Sequence, residues 1–295
     1  MSYNKVNQIP VNPPDDLNKP FFAYGIFKKG QIAYSKIENF VKTVDDADDV
    51  KIENCMMNIR DGIPLISSVE IEGYSTKGQI IWFFDEDKEE AYKKISDTEP
   101  EDLYEWGETT VKGIKVNVLY GKNPGNGSYM YETDGGRYVD NFDGKNDLFF
   151  DDDFFKFLNM EEKKLDGDEY DIFRLQMYYM LLWSVIDRYC SLKYDSVNFK
   201  GDDIRNLSND PVFIKSINSV DLPTNRNPIY SSRDAKPWEW RNNNYSRLNY
   251  YYKLRGNVVH RGKDRLTNIG ILRQCFKELL KIFKKVIDNT FSQDD

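Results

Sequence analysis

The sequence predicts an α+β N-terminal domain followed by an all-α helical bundle. Three observations carry that expectation. Short β-rich runs bounded by Gly, Asp or Lys crowd the chain up to Lys122, whereas helical spacing dominates after Asp168. A length of 295 residues fits two domains, and a hydrophobic fraction of 40% is enough to fill two ordinary cores.

Taken in order, residues 1–19 are polar and carry Pro10, Pro13 and Pro14, which predicts an extended arm. Residues 20–122 form the strand-dominated domain. Its strands are expected at Phe21–Ile26, Ile32–Tyr34, Val50–Asn58, Gly78–Phe84 and Ile114–Tyr120, and Asp87–Ser96 has the spacing of a helix. Residues 123–167, rich in Gly, Asn and Asp, read as a connecting region, with a local hairpin or helix in the acidic aromatic patch at Asp147–Phe157. An EF-hand does not fit there, because taking Gly144 as the loop glycine puts Val139 at the first ligand position. Residues 168–295 are helical. A long apolar run, Tyr170–Tyr194, is followed by a polar insertion through Pro211 and Pro223 to Trp238, then by helices over Asn243–His260 and Leu266–Phe291. The last of these sets Leu272, Phe276, Leu279, Leu280 and Phe283 on one stripe.

Composition narrows the chemistry. Cys55, Cys190 and Cys275 are odd in number and widely spaced, which indicates neither a disulfide framework nor a zinc ribbon. With His260 as the single histidine, a His-rich metal site within one chain is excluded. No cofactor is expected. The chain has no run of about 18 apolar residues and no basic-then-apolar start, so a cytoplasmic protein without a membrane partner is expected. The net charge of −8 is unevenly spread: Asn225–Ile287 holds 15 Lys and Arg against four acidic residues. Such segregation suits a polyanion site inside an acidic protein, or else a basic helix pair neutralised by an acidic partner.

The basic segment contains Tyr-Lys-Leu-Arg-Gly-Asn-Val-Val-His-Arg-Gly-Lys, residues Tyr252–Lys263. Cations beside His260 disfavour its charged form, leaving a free base near neutral pH. An imidazole base can take the proton of a ribose 2′-hydroxyl while a guanidinium stabilises charge on the attacked phosphate. Arg255, Asn257 and His260 are therefore candidate catalytic residues, and Arg261 and Lys263 candidate RNA contacts. Five helical positions set Arg255 and His260 roughly 140° apart, so a two-fold dimer would complete a shared cleft. The Arg-Gly-Asn-Val-Val-His segment resembles the Arg, four to six residues, His motif of HEPN domains, and Leu182–Tyr194 with Asp187 is similar to that family's acidic helix position. The resemblance covers about residues 168–291. It implies a homodimeric, metal-independent endoribonuclease that leaves a 2′,3′-cyclic phosphate, or a relative that binds RNA without cutting. Gly256 stands where the family commonly has a polar residue, and close helix approach or a local break is expected there.

A second constellation lies in the N-terminal domain. Phe21–Gln31 reads as a strand ending in a glycine-bracketed loop whose amide groups can hold a carboxylate. Arg-Asp-Gly-Ile-Pro-Leu (60–65), Gly-Gln-Ile-Ile-Trp-Phe (78–83) and Ile-Ser-Asp-Thr-Glu (95–99) follow. In this order the segments resemble the γ-glutamylcyclotransferase-like family, over about residues 20–122. The resemblance implies a small β-barrel, Glu99 as acid/base, and Tyr24, Gly25, Ile26, Phe27 and Gly30 as the loop holding a small carboxylate or γ-glutamyl ligand. Ile26 and Phe27 are bulkier than the family prefers. The sequence thus predicts a ribonuclease with a sensing or regulatory N-terminal domain, in stress or antiviral defence and under a neutralising partner protein. The competing reading is a γ-glutamyl cyclotransferase whose helical domain only dimerises.

Overall fold

Two periodicities, alternation in the first half and a 3.6-residue repeat in the second, build two compact units that divide after Leu148 in the computed structural model. It describes residues 9–60, 63–122, 139–165, 169–194, 201–229, 237–261 and 269–291. The chain is mixed α/β, with its strands in the first unit and a helical second unit.

The first unit runs through β1 (Phe21–Ala23), β2 (Val41–Asp45), β3 (Lys51–Glu53), β4 (Met57–Arg60), β5 (Ile63–Ile66), β6 (Ser75–Lys77), β7 (Gln79–Phe83), α1 (Lys88–Thr98), β8 (Tyr104–Val111) and β9 (Ile114–Gly121). Five strands form one sheet in the order β2-β7-β1-β9-β8, in which only the β1–β9 pair is parallel. The pairs β3–β6 and β4–β5 are separate antiparallel ladders. The β8–β9 hairpin turns on Lys112 (φ 53°) and Gly113 (φ 79°), two consecutive residues at positive φ, the backbone that matches the twist of the flanking strands. β1 is buried on both faces. Phe21 and Ala23 pack with Ala91, Tyr92 and Ile95 of α1, while Phe22 packs with Ile80, Val116 and Val118 on the other side. The β1–β7 approach needs glycine at position 78: a Cβ there would lie 2.5 Å from Phe22 Cζ and 2.6 Å from the Ala23 carbonyl oxygen.

Several expectations need correction. Ile32–Tyr34 is no strand; Ile32 and Ala33 are buried, Ala33 N–H bonds the Ile26 carbonyl at 3.0 Å, and a 3₁₀ turn begins at Tyr34. The run Val50–Asn58 breaks into β3 and β4 because Asn54 takes φ 52°. The arm is not free in its last part, since Val11 N–H bonds the Glu99 carbonyl and Glu101 N–H bonds that of Ile9.

The second unit comprises α2 (Asp152–Lys163), α3 (Glu169–Tyr194), α4 (Gly201–Asn209), α5 (Pro211–Asn218), α6 (Asn244–Arg261) and α7 (Ile269–Phe291). Of the hairpin or helix expected in the connecting region the chain forms a helix, α2, and the helical unit begins at Phe149 rather than at residue 168. Asp151 starts α2 by accepting a bond from Asp153 N–H at 2.8 Å. The polar insertion holds α4 and α5. Pro211 starts the second of these, with no amide proton to lose, and Asp210 accepts from the amides of Val212 and Phe213. The apolar stripe of α7 is buried from Leu272 to Phe283, as its spacing predicts. No helix among the described residues is long and apolar enough to cross a membrane.

Gly78→Ala should therefore lower stability by about 1–3 kcal/mol, since both colliding groups are core or main chain rather than the tip of a free side chain. Denaturant melts read the shift directly.

Candidate functional site

In the helical unit, Arg255 lies on α6 and reaches across to Asp187 on α3, with Nη2 3.2 Å from Oδ2. Its guanidinium also stands over the rings of Trp183 (5.7 Å) and Tyr252 (5.8 Å). Both charged groups are half-buried. The pair is only partly satisfied: Asp187 Oδ1 and Arg255 Nε are buried and have no hydrogen-bond partner among the described residues. Burial pushes the Asp187 carboxyl up to about 6, against the opposing pull of Arg255, and nearby Asp203 adds to the rise. Sequence reasoning singled out Asp187 only through its likeness to an acidic helix position. Its aromatic neighbours Trp183 and Tyr252 were not picked out.

Asn257 is half-buried on the same helix, and the backbone of His260 and Arg261 continues it to its end. The side chains of His260 and Arg261, and Lys263 altogether, lie outside the described residues. Gly256 neither breaks the helix nor meets a neighbour: α6 is continuous through it, and an added Cβ would find nothing within 4 Å. The basic character of this half is also more contained than the segment count implies. Between Phe149 and Ser292 there are 24 Lys and Arg against 20 Asp and Glu. Arg226 pairs with Glu278, Arg273 and Lys277 with Glu162, and Lys284 with Asp152 and Asp288.

In the first unit, α1 ends at Glu99, whose amide bonds the Ile95 carbonyl at 3.2 Å and whose side chain is buried. Tyr24 follows β1 and donates its hydroxyl to the Leu119 carbonyl at 2.7 Å. Burial, then the charge of Glu99, raises the Tyr24 hydroxyl well above its ordinary value. Gly25 faces Pro64, and an added Cβ would stand 2.7 Å from its Cγ. Gly30 takes φ 84°, the left-handed backbone the loop needs.

Two expected features of the loop change. Phe27 is a core residue, 6.2 Å from Phe21 ring to ring, and Ile26 packs partly against the same core, so neither bulky side chain stands free toward a ligand. Two of the loop amides are spent internally, Lys28 N–H on the Gly25 carbonyl and Lys29 N–H on Gln79 Oε1. Sequence reasoning missed Lys28. It is buried, its Nζ donates to Asn141 Oδ1 and the Phe142 carbonyl at 2.6 Å each, and burial brings its ammonium down to about 8. A lysine between two glycines looks exposed in sequence, and only the fold turns it inward.

Cys55, Cys190 and Cys275 are free and buried. Comparison with protein-family models, with curated proteins and with solved structures returned no match.

Asp187 gives a pH signature with a definite sign. Its folded carboxyl holds a proton more tightly than the unfolded one, so its share of stability is full below about pH 4 and is lost as pH rises through about 6. Wild type should lose stability relative to Asp187→Asn across that window, and paired denaturant melts at pH 4 to 7 measure the difference. Gly256→Ala should raise stability by up to about 1 kcal/mol, because it extends helix propensity into open space.

Proposed function

We propose that the helical unit is a metal-independent endoribonuclease of HEPN type, acting as a homodimer on RNA. The observation that carries this reading is the Arg255–Asp187 pair: a half-buried guanidinium held from α3, on the helix that also bears Asn257 and His260. In the proposed reaction His260 accepts the ribose 2′-hydroxyl proton, and the oxygen attacks the adjacent phosphate. The 5′-oxygen then leaves with a proton, giving a 2′,3′-cyclic phosphate end. Arg255 stabilises the charge that builds on the phosphate, and Asp187 fixes the direction of its guanidinium. Arg261 and Lys263 contribute to backbone binding, and a second copy of the chain completes the cleft. In this reading the first unit senses a ligand, and a neutralising protein partner restrains the nuclease in stress or antiviral defence.

The test is cleavage of matched RNA and DNA by pure protein in chelator. RNA alone should be cut, His260→Ala should slow cutting by about 100-fold or more, and Arg255→Ala should abolish turnover while its circular dichroism melt stays cooperative. Cleavage of DNA, or undiminished activity of His260→Ala, would refute the reading.

A second reading concerns the first unit and is favoured by the burial of both Tyr24 and Glu99, with the charge of Glu99 acting on the Tyr24 hydroxyl, and by the close Gly25–Pro64 contact in the loop after β1. There Glu99 takes the proton of a γ-glutamyl α-ammonium, which closes on its own γ-carbonyl to release 5-oxoproline. Incubation with γ-glutamyl amino acids should yield 5-oxoproline in wild type and none in Glu99→Gln. Binding without turnover in both would leave the unit a sensor.

A further inference from the structure

α3 carries apolar residues on two opposite sides. Inward, Leu175, Tyr179, Leu182, Trp183 and Ile186 are buried in the helical core. Outward, Tyr170, Phe173, Met177 and Met180 recur at alternating spacings of three and four and lead to Ser184, which keeps the repeat. Tyr170, Phe173 and Met177 are 71%, 54% and 67% exposed, so the outward seam is open to solvent. An alternating three-and-four repeat is the pattern by which one helix packs along another, and a helix that is apolar all round has neighbours on both faces.

Phe157 and Met160 of α2, also exposed, widen the apolar surface, with Phe157 packed edge-on against Tyr178 of α3 at 6.3 Å between rings. At about 150–250 Å² per large side chain, these groups leave on the order of 500 Å² of apolar surface exposed. That is near the top of the range for the largest patch on a monomer. A standard interface takes about 800 Å² from each partner, of which about 65% is apolar between copies of one chain, and the patch supplies that apolar share. The charges around it cancel: Asp153 pairs with Lys156 at 2.8 Å, Asp171 with Arg174 at 3.1 Å, and Glu161 with Lys164. Such a balanced rim draws neither a nucleic acid nor an anionic bilayer, and it does not repel its own copy.

We propose that this face binds a second copy of the chain, seam against seam, with the two α3 helices antiparallel about a two-fold axis at Met177. Met177 is the middle of the seam, seven residues from Tyr170 and seven from Ser184. An antiparallel pair sets Met177 against its own copy, Tyr170 against Ser184 and Phe173 against Met180, so each large ring meets a smaller side chain. A parallel pair would set Tyr170 on Tyr170 and Ser184 on Ser184, crowding one end of the seam and leaving a gap at the other. The contact contains none of Arg255, Asn257 and His260 and stands apart from the cleft of the nuclease reading.

Sedimentation equilibrium of the full chain tests this pairing. Met177→Glu and Met177→Lys each put like charges together at the axis. Each should halve the particle mass found for wild type at equal concentration, raising the dissociation constant by about 100-fold or more. Circular dichroism melts of both should stay cooperative, because the substituted side chain is exposed. An equimolar mixture of the two variants should recover association to within about tenfold of wild type, since opposite charges then meet across the axis. Val69→Glu, which charges a similarly exposed apolar residue of the first unit, should sediment as wild type. A monomeric wild type would overturn the proposal and leave the face to a different protein. Unchanged mass in both Met177 variants, halving in Val69→Glu, or a mixture that stays dissociated would also overturn it. No arm of the test uses RNA, so failure of the pairing and failure of the nuclease reading are separate results.

Discussion

Pairing of cations that cannot be left alone in a helical interior organises the second unit. Taking a charge out of water is costly unless an opposite charge or full hydrogen bonding replaces the solvent. The helices meet that demand repeatedly. Arg226, almost fully buried, sits on Glu278 and stacks over Trp240 at 4.5 Å, while Tyr251 donates to the same carboxylate at 2.8 Å. Lys193 meets Asp210 at 2.8 Å, and Glu162 of α2 gathers both Arg273 and Lys277 of α7. Arg255 and Asp187 follow the same rule, and like Arg226, whose Nε is also without a partner among the described residues, each keeps one buried atom unpaired there. The Arg255–Asp187 pair differs from these in its place, near the end of α6 on the helix that carries Asn257 and His260.

The first unit works under a different constraint, the double-sided burial of a three-residue central strand. Because β1 lies between β7 and β9 with side chains packed on both faces, its end cannot drift. The loop that follows is consequently held from three directions: Gly25 against Pro64, Phe27 in the core, and Lys28 bonded to Asn141 and Phe142. Rigid support of this kind sets the Tyr24 hydroxyl where the charge of Glu99, far off in sequence, acts on it.

Legibility in the sequence followed the length and regularity of each signal. The apolar stripe of α7 and the long runs of α3 and α6 were readable because more than four helical turns repeat one pattern. Short strands were read less well. β8 escaped notice since Gly107 interrupts its alternation, yet its glycine is required where an added Cβ would stand 2.7 Å from the Tyr120 ring. α4 and α5 were lost in polar composition, although Asp210-Pro211 is a start signal rather than a stop. Of the candidate site residues, Arg255, Asn257, His260, Tyr24 and Glu99 are proposed from the sequence itself. The inward turn of Lys28 and the use of the basic segment's cations on α2 were not, because net charge counts residues and says nothing of which partners the fold supplies.

The last part of the N-terminal arm is tied to the main chain that carries Glu99. Val11 N–H bonds the main chain of Glu99, and Val11 also lines a recess beside Trp106 and Asn117. Three residues, Ile9 to Val11, are thus paired alongside the segment that carries the buried carboxylate. Pro10, Pro13 and Pro14 restrict the arm's backbone, which lowers the conformational entropy lost when it pairs beside Glu99.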